Sequence, residues 1–259
     1  MHPIASHQKI ENFILIKYTK KSLDAPDHVK DAPKLTDWND YQELMFRTML
    51  EQLNYFYPTS TIHIITNEKH KNTSKLIWHY QENLEANHNT KLSIYGLLDT
   101  PAMYIDSDIL MVRPFQKQHL SSTAPFNLYQ YSNSRSLQSL CSKKLEFDSD
   151  KQYNCGMVWI SRPNKQIVTE LWEIKNNYFN NRGLIESQRA WYNNDEHPVS
   201  YFVSKYNLHM KMFDEVNAFR TSCKNILKQQ SIHYTGVHNK EKFVKEYKEI
   251  CKARVRIFG

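Results

Sequence analysis

Short apolar runs alternate with amphipathic stretches through the first 115 residues of this chain, and no other feature restricts the fold as much. Phe13-Ile14-Leu15-Ile16, Thr61–Thr66, Ala102–Ile105 and Ile109–Val112 are too short for helices, and read as buried strands. Between the first two, Asp37 caps a helix in which Tyr41, Leu44, Met45, Thr48, Met49, Gln52 and Phe56 recur near helical spacing, and Pro58 stops it. Residues 74–98 read as two helical pieces broken around Asn87-His88-Asn89. Farther on, the pattern predicts strands at Phe126–Tyr131, Cys155–Ile160 and Ile232–Tyr234, and helices at Lys165–Phe179, His197–Lys205 and Lys240–Ala253. Strands that alternate with helices build βαβ units. With no internal repeat and no linker, the expectation is one α/β domain over residues 1–259, with a mostly parallel central sheet flanked by helices.

Glycine narrows the function. There are five, no two closer than 23 residues, so neither a dinucleotide fingerprint nor a Walker A loop can exist. No Cys-x-x-Cys pair is present, which removes zinc ribbons and fingers. An anion held by this chain must therefore meet a metal ion or side chains. The net charge is +7, from 34 Lys+Arg against 27 Asp+Glu. The basic residues are dispersed and no nucleic-acid-binding signature appears, so no nucleic-acid partner is expected; a positive cleft equally suits diphosphates.

With 40% hydrophobic residues and a mean hydropathy of −0.69, the chain reads as hydrophilic and globular. It lacks both a membrane-length apolar run and the apolar core of a signal peptide. Cys141, Cys155, Cys223 and Cys251 are far apart and read as reduced thiols, so a cytoplasmic location is expected. The basic, apolar alternation of Lys252–Phe258 reads either as an edge strand or as a peripheral contact with anionic lipid.

The segment that carries chemistry is Tyr104-Ile105-Asp106-Ser107-Asp108-Ile109-Leu110. Asp106 and Asp108 stand at i and i+2 where an apolar strand ends, on one face if the chain stays extended. Two such carboxylates repel unless a cation lies between them, and oxygen ligands suit Mg²⁺ or Mn²⁺ with open positions for a diphosphate. Twelve Asp in 259 residues give roughly half a chance match to this pattern, so context decides. Asp106 and Asp108 sit at a strand's carboxyl end, where open α/β sheets bind ligands. The other match, Asp148-Ser149-Asp150, lies in a polar stretch that reads as a solvated loop.

Residues Thr90–Leu98 followed by the Asp106/Asp108 segment resemble the core of GT-A-fold glycosyltransferases, and most of all glycosyltransferase family 8, the group of glycogenin and the bacterial lipopolysaccharide galactosyltransferases. Tyr153-Asn154-Cys155-Gly156 is similar to that family's F-N-x-G strand, Asn194-Asp195-Glu196 to its D-Q segment, and His233-Tyr234-Thr235-Gly236 to its C-terminal H-F-x-G signature. The resemblance spans roughly residues 10 to 245 and implies a single GT-A domain. Its nucleotide-binding half would be about 10–115, its acceptor half about 116–245, and a basic tail would occupy 246–259. It implies a metal-dependent, retaining transfer of a hexose from a nucleotide sugar, most readily a UDP-sugar, to a glycan, glycolipid or protein hydroxyl. The alternative is a catalytically silent GT-A domain that binds nucleotide sugar or glycan.

Residue by residue, the resemblance makes Asp106, Asp108 and His233 ligands of Mn²⁺ (or Mg²⁺). Lys91 would lie beside the donor sugar and diphosphate, and Asn154 and Gly156 would line the sugar pocket. The Gly236 N–H and the Lys240 ammonium would approach the diphosphate. Asp195 and Glu196 would be the catalytic carboxylates, with helix capping the competing reading for Asp195. Lys17, Tyr18 and Thr19 are the candidates for the base. Two positions depart from the family: Asn239 stands where it has a phosphate-binding Lys, and Glu196 where it has Gln.

Overall fold

The computed structural model describes residues 9–17, 38–82, 84, 88–115, 120, 123–130, 145, 151–180, 195–208, 211–212, 218–219, 224–234 and 240–258. In chain order they form β1 (Asn12–Ile16), α1 (Trp38–Phe56), β2 (Thr61–Thr66), β3 (Leu76–Tyr80), a 3₁₀ helix (His88–Gly96), β4 (Ala102–Ile105), β5 (Ile109–Met111), β6 (Phe126–Gln130) and β7 (Tyr153–Ile160). There follow α2 (Lys165–Ile174), which runs into a π-helical segment (Lys175–Asn180), α3 (Glu196–Lys205), β8 (Lys211–Met212), β9 (Ala218–Phe219), a short 3₁₀ turn (Ile226–Lys228), β10 (Ser231–His233) and α4 (Lys240–Phe258).

Seven strands make the central sheet in the order β3-β2-β1-β4-β7-β6-β8. The β3, β2, β1 and β4 strands run parallel, as do β6 and β8, while β7 is antiparallel to β4 and β6. The chain builds outward from β1 to β3, then returns to the far side of β1 with β4. That reversal leaves a crevice outside the carboxyl ends of β1 and β4, the place where open α/β sheets accept ligands. In a second sheet, β5-β10-β9, β10 runs antiparallel to β5 and parallel to β9.

Period-two alternation sorts the strand side chains onto two cores. Phe13, Leu15, Ile62, Ile64, Met103 and Ile105 pack on Phe46, Met49 and Leu53 of α1. Ile14, Ile16, Tyr104, Val158 and Ile160 face the other way, onto Leu92, Tyr95, Leu171, Val199 and Phe202. Each fully buried side chain of this size contributes about 1.5–3 kcal/mol. A third cluster joins Tyr41 and Met45 of α1, Leu110, Ile232, and Phe243 and Ile250 of α4, so the small sheet is held between two helices.

Two expectations are corrected. Residues 74–98 do not form a helix pair: Leu76–Tyr80 is strand β3, parallel to β2, and among the described residues of this stretch only His88–Gly96 is helical, as a 3₁₀ helix. The β3 side chains are half-buried at a sheet edge, so they show neither the unbroken apolar run nor the clean alternation that marks a strand. At the C-terminus, residues 246–258 are no tail and no edge strand but the continuation of α4, whose inner face includes buried Ile250 and Arg254. Cys155 and Cys251 carry no disulfide. Asp37, Tyr18, Thr19, Tyr131, Cys141, Cys223 and the Asp148/Asp150 pair lie outside the described residues.

Burial also sets a pH dependence. It pushes the His63 imidazole down to about 4, helped by His79 at 3.0 Å, and pushes the buried His197 down to about 4 against the pull of Asp195. In the unfolded chain both titrate near 6.5, so between pH 6.5 and 4 the unfolded state binds more protons. Stability is therefore full above pH 6.5 and falls as the pH drops to 4. Thermal unfolding at pH 7, 5.5 and 4 should show a falling midpoint, with a shallower fall in His197→Asn; an identical pH slope in that variant would contradict the assignment.

Candidate functional site

The site begins where β4 ends. Asp106 N–H extends the ladder by donating to the Gly156 carbonyl of β7 at 2.7 Å, and the chain then turns, with Ile109 N–H donating to the Asp106 carbonyl at 3.3 Å. Asp106 and Asp108 therefore meet through a tight turn between β4 and β5, not across an extended strand as the spacing alone suggests. On the other side, Tyr234 N–H donates to the Asp108 carbonyl at 3.0 Å, which carries the β5/β10 ladder up to His233. The turn and the ladder together bring His233 Nε2 within 3.3 Å of Asp108 Oδ1. Ligand atoms of Asp106, Asp108 and His233 all lie within 4.8 Å of one another.

Two neighbours hold Asp106. Lys91, only 6% exposed in the 3₁₀ helix, donates from Nζ to Asp106 Oδ2 at 2.7 Å, and the Tyr104 hydroxyl donates to Oδ1. The role of Tyr104 escaped the sequence reading; its signal was the i, i+2 relation that puts it on the same strand face as Asp106. Burial pushes the Asp106 carboxyl above its ordinary range, with the Asp108 charge adding to it and Lys91 opposing. Burial pushes Asp108 up as well, but the adjacent His233 imidazole outweighs it and the net shift is down. For His233 burial favours the neutral ring, and the Asp108 carboxylate reverses that, so its pKa is raised. Two half-buried acids are thus each faced by a nitrogen group, Asp106 by the Lys91 ammonium and Asp108 by the His233 imidazole.

Gly156 explains how the cluster fits under β7. A Cβ built there would lie 2.4 Å from His233 Cε1 and 3.1 Å from both Asp106 Oδ2 and Asn154 Oδ1. The Gly156 N–H donates to Asn154 Oδ1 at 3.1 Å, which turns the Asn154 amide so that Nδ2 donates to Glu196 Oε1 at 2.7 Å. A continuous chain of contacts therefore joins Lys91, Asp106, Asp108, Asn154, Gly156, Glu196 and His233. Asp195 is buried beside them; it occupies the N-cap position of α3, but its backbone is already helical and its side chain makes no capping bond, so the capping reading fails. Lys17 lies at the carboxyl end of β1, bonded to Glu68 at 2.9 Å. Lys240 opens α4, though its side chain is outside the described residues, and Gly236 is outside them altogether.

Two carboxylates and an imidazole converging at this spacing fit a divalent cation by both donor chemistry and room. Carboxylate oxygens suit Mg²⁺ and Mn²⁺ alike, while the imidazole tilts the set toward the softer ion.

No protein-family model matches the sequence, and neither does any curated protein. Solved structures do match the fold. The chain is similar to the galactosyltransferase LgtC in complex with donor and acceptor sugar analogues, at 8% identity over 92% of this chain and 95% of that one, with a TM-score of 0.54. It is also similar to an active-site Gln-to-Glu mutant of LgtC, at 8% identity over 93% and 95%, with a TM-score of 0.55. The glycosyltransferase GlyE of Streptococcus pneumoniae TIGR4 matches at 9% identity and a TM-score of 0.53, over 96% of this chain but 64% of that one. The fold is thus the α/β, GT-A-like fold of these glycosyltransferases, with the mostly parallel sheet expected from the strand pattern.

At Gly156 any added side chain would meet the His233 ring directly. Gly156→Ala should force the His233 ring away from the two carboxylates and weaken divalent-cation binding by about tenfold or more. A cation titration followed by electron paramagnetic resonance measures this, and wild-type affinity in the variant would contradict the packing described.

Proposed function

We propose that this chain is a metal-dependent glycosyltransferase that moves a hexose from a UDP-sugar to an acceptor hydroxyl, with retention of anomeric configuration. The observation that carries the reading is the Asp106, Asp108 and His233 cluster, found at the carboxyl end of β4 where the sheet reverses, in a fold shared with glycosyltransferases. That one neighbour was solved with donor and acceptor sugar analogues supports a nucleotide-sugar donor and a glycan acceptor.

In this reading Asp106, Asp108 and His233 hold Mn²⁺ (or Mg²⁺), which when bound would act as a Lewis acid on the departing diphosphate. The difficulty in such a transfer is charge separation: the leaving phosphate becomes more negative while the sugar becomes oxocarbenium-like. Lys91 lies against Asp106, where its ammonium can meet the negative charge that develops on the diphosphate as the sugar C1–O bond breaks. The Gly236 N–H and Lys240, the latter opening α4, would approach the same group. Asn154 and Gly156 would border the sugar, Gly156 by leaving the space a side chain would take. Glu196 is fixed by Asn154, and with the buried Asp195 it supplies the negative charge that stabilises a cationic sugar.

A second reading, a silent domain that binds nucleotide sugar without turning it over, draws on one fact: Lys91 and His233 already lie against the acids. Incubation of a nucleotide-sugar panel with Mn²⁺ separates the two. Hydrolysis of a UDP-sugar supports the enzyme, whereas Mn²⁺-dependent UDP binding with no turnover, acceptors present, supports the silent domain. Asp108→Ala should weaken Mn²⁺-dependent UDP binding by about 100-fold while the fold survives; unchanged affinity would remove the metal from the account. Glu196→Gln should lower turnover by about 100-fold with UDP affinity intact, and normal turnover would dismiss it as a catalytic group.

A further inference from the structure

The cluster depends on β5, a strand of three residues, staying in register with β10. In that antiparallel pair residues 108, 110 and 112 turn their backbone groups toward β10, as the Tyr234 N–H to Asp108 carbonyl and Val112 N–H to Gln230 carbonyl bonds show. Residues 109 and 111 must then present theirs to the opposite edge, where no strand is paired among the described residues. An unpaired buried edge is costly, at about 1–3 kcal/mol per group.

Gln52 of α1 fills that edge. Completely buried, it donates from Nε2 to the Ile109 carbonyl at 3.4 Å and accepts the Met111 N–H on Oε1 at 2.6 Å, so one side-chain amide takes the place of the next strand's peptide. The Met111 carbonyl, left over, accepts from Arg254 Nη2 of α4, and the same nitrogen lies 3.3 Å from Gln52 Oε1. Arg254 is 5% exposed, with its guanidinium 4.5 Å from the Phe56 ring centroid and 5.4 Å from that of Tyr55. Aromatic faces, a carbonyl and an amide thus hold this buried cation. Two turns earlier on the same face of α4, Glu246 accepts from the hydroxyl of Tyr234, the residue after His233. Phe243, Glu246, Ile250 and Arg254 recur at helical spacing and are all buried.

We propose that Gln52 and Arg254 are positioning residues for the metal site: they clamp the outer edge of β5 and so set Asp108 against His233. The clamp makes α4 part of the site without touching the ion. Arg254, in a segment whose pattern suits either an edge strand or a lipid contact, instead points into the fold.

The inference rests on the cation reading, so the test first establishes Mn²⁺ binding in the wild-type chain and its loss in Asp108→Ala. Failure there overturns the metal reading itself. With binding established, Arg254→Lys and Gln52→Met should each weaken Mn²⁺ affinity about tenfold, change the Mn²⁺ paramagnetic-resonance line shape, and speed amide exchange at Met111 and Tyr234 without metal. Ile77→Ala, on the distant edge strand β3, controls for stability alone, and should keep wild-type affinity at a comparable loss of thermal midpoint. Wild-type Mn²⁺ affinity in both clamp variants, or an equal loss in Ile77→Ala, would overturn the proposal.

Discussion

Two acids share a half-buried position at the tip of β4, and the rest of the site is arranged around the cost of that choice. A carboxylate taken out of water loses several kcal/mol of solvation unless a counter-charge replaces it. Here the replacements come from far away in sequence: Lys91 from the 3₁₀ helix and His233 from β10. Burial and mutual repulsion raise Asp106, whereas the imidazole lowers Asp108, so the two acids are chemically distinct despite being two residues apart. A divalent ion held by Asp106, Asp108 and His233 would supply the positive charge that these acids now draw from their neighbours. That demand for positive charge is the physical basis for reading the site as a metal centre.

The topology delivers these groups. The reversal of the sheet between β1 and β4 opens the crevice, and β7, crossing antiparallel beside β4, brings Gly156 and Asn154 under the two acids. Because Gly156 lacks a side chain, the His233 ring can lie where a Cβ would otherwise be, and its amide orients Asn154 toward Glu196. The small sheet adds His233 and is held by α1 on one side and α4 on the other. Groups as far apart in sequence as Lys91 and His233 must therefore come together before the cluster exists.

The central strands were legible because they are buried on both faces and need little beyond a short apolar run: Phe13–Ile16, Thr61–Thr66 and Ala102–Ile105 recur in the structure within a residue. Strand β3 was not, because its half-exposed residues Leu76–Tyr80 follow no period that separates strand from helix. Four ordered segments supplied the candidates, of which Asp106, Asp108, Asn154, Gly156, Glu196 and His233 converge in space. What local sequence could not show were contacts made by tertiary packing alone. Tyr104 on Asp106, Gln52 acting as a surrogate strand, and Arg254 turned inward instead of toward solvent all belong to that class. Even the pairing of the two acids came about differently, through a turn in place of an extended strand.

The most direct measurement is a crystal of the chain grown with Mn²⁺ and UDP, with data collected at the manganese absorption edge. The account predicts one anomalous peak in contact with a carboxylate oxygen of Asp106, a carboxylate oxygen of Asp108 and Nε2 of His233, with the UDP diphosphate on its open side. Density for UDP with no anomalous peak between these three side chains, or a peak bound elsewhere while Lys91 and His233 keep their acids, would contradict it.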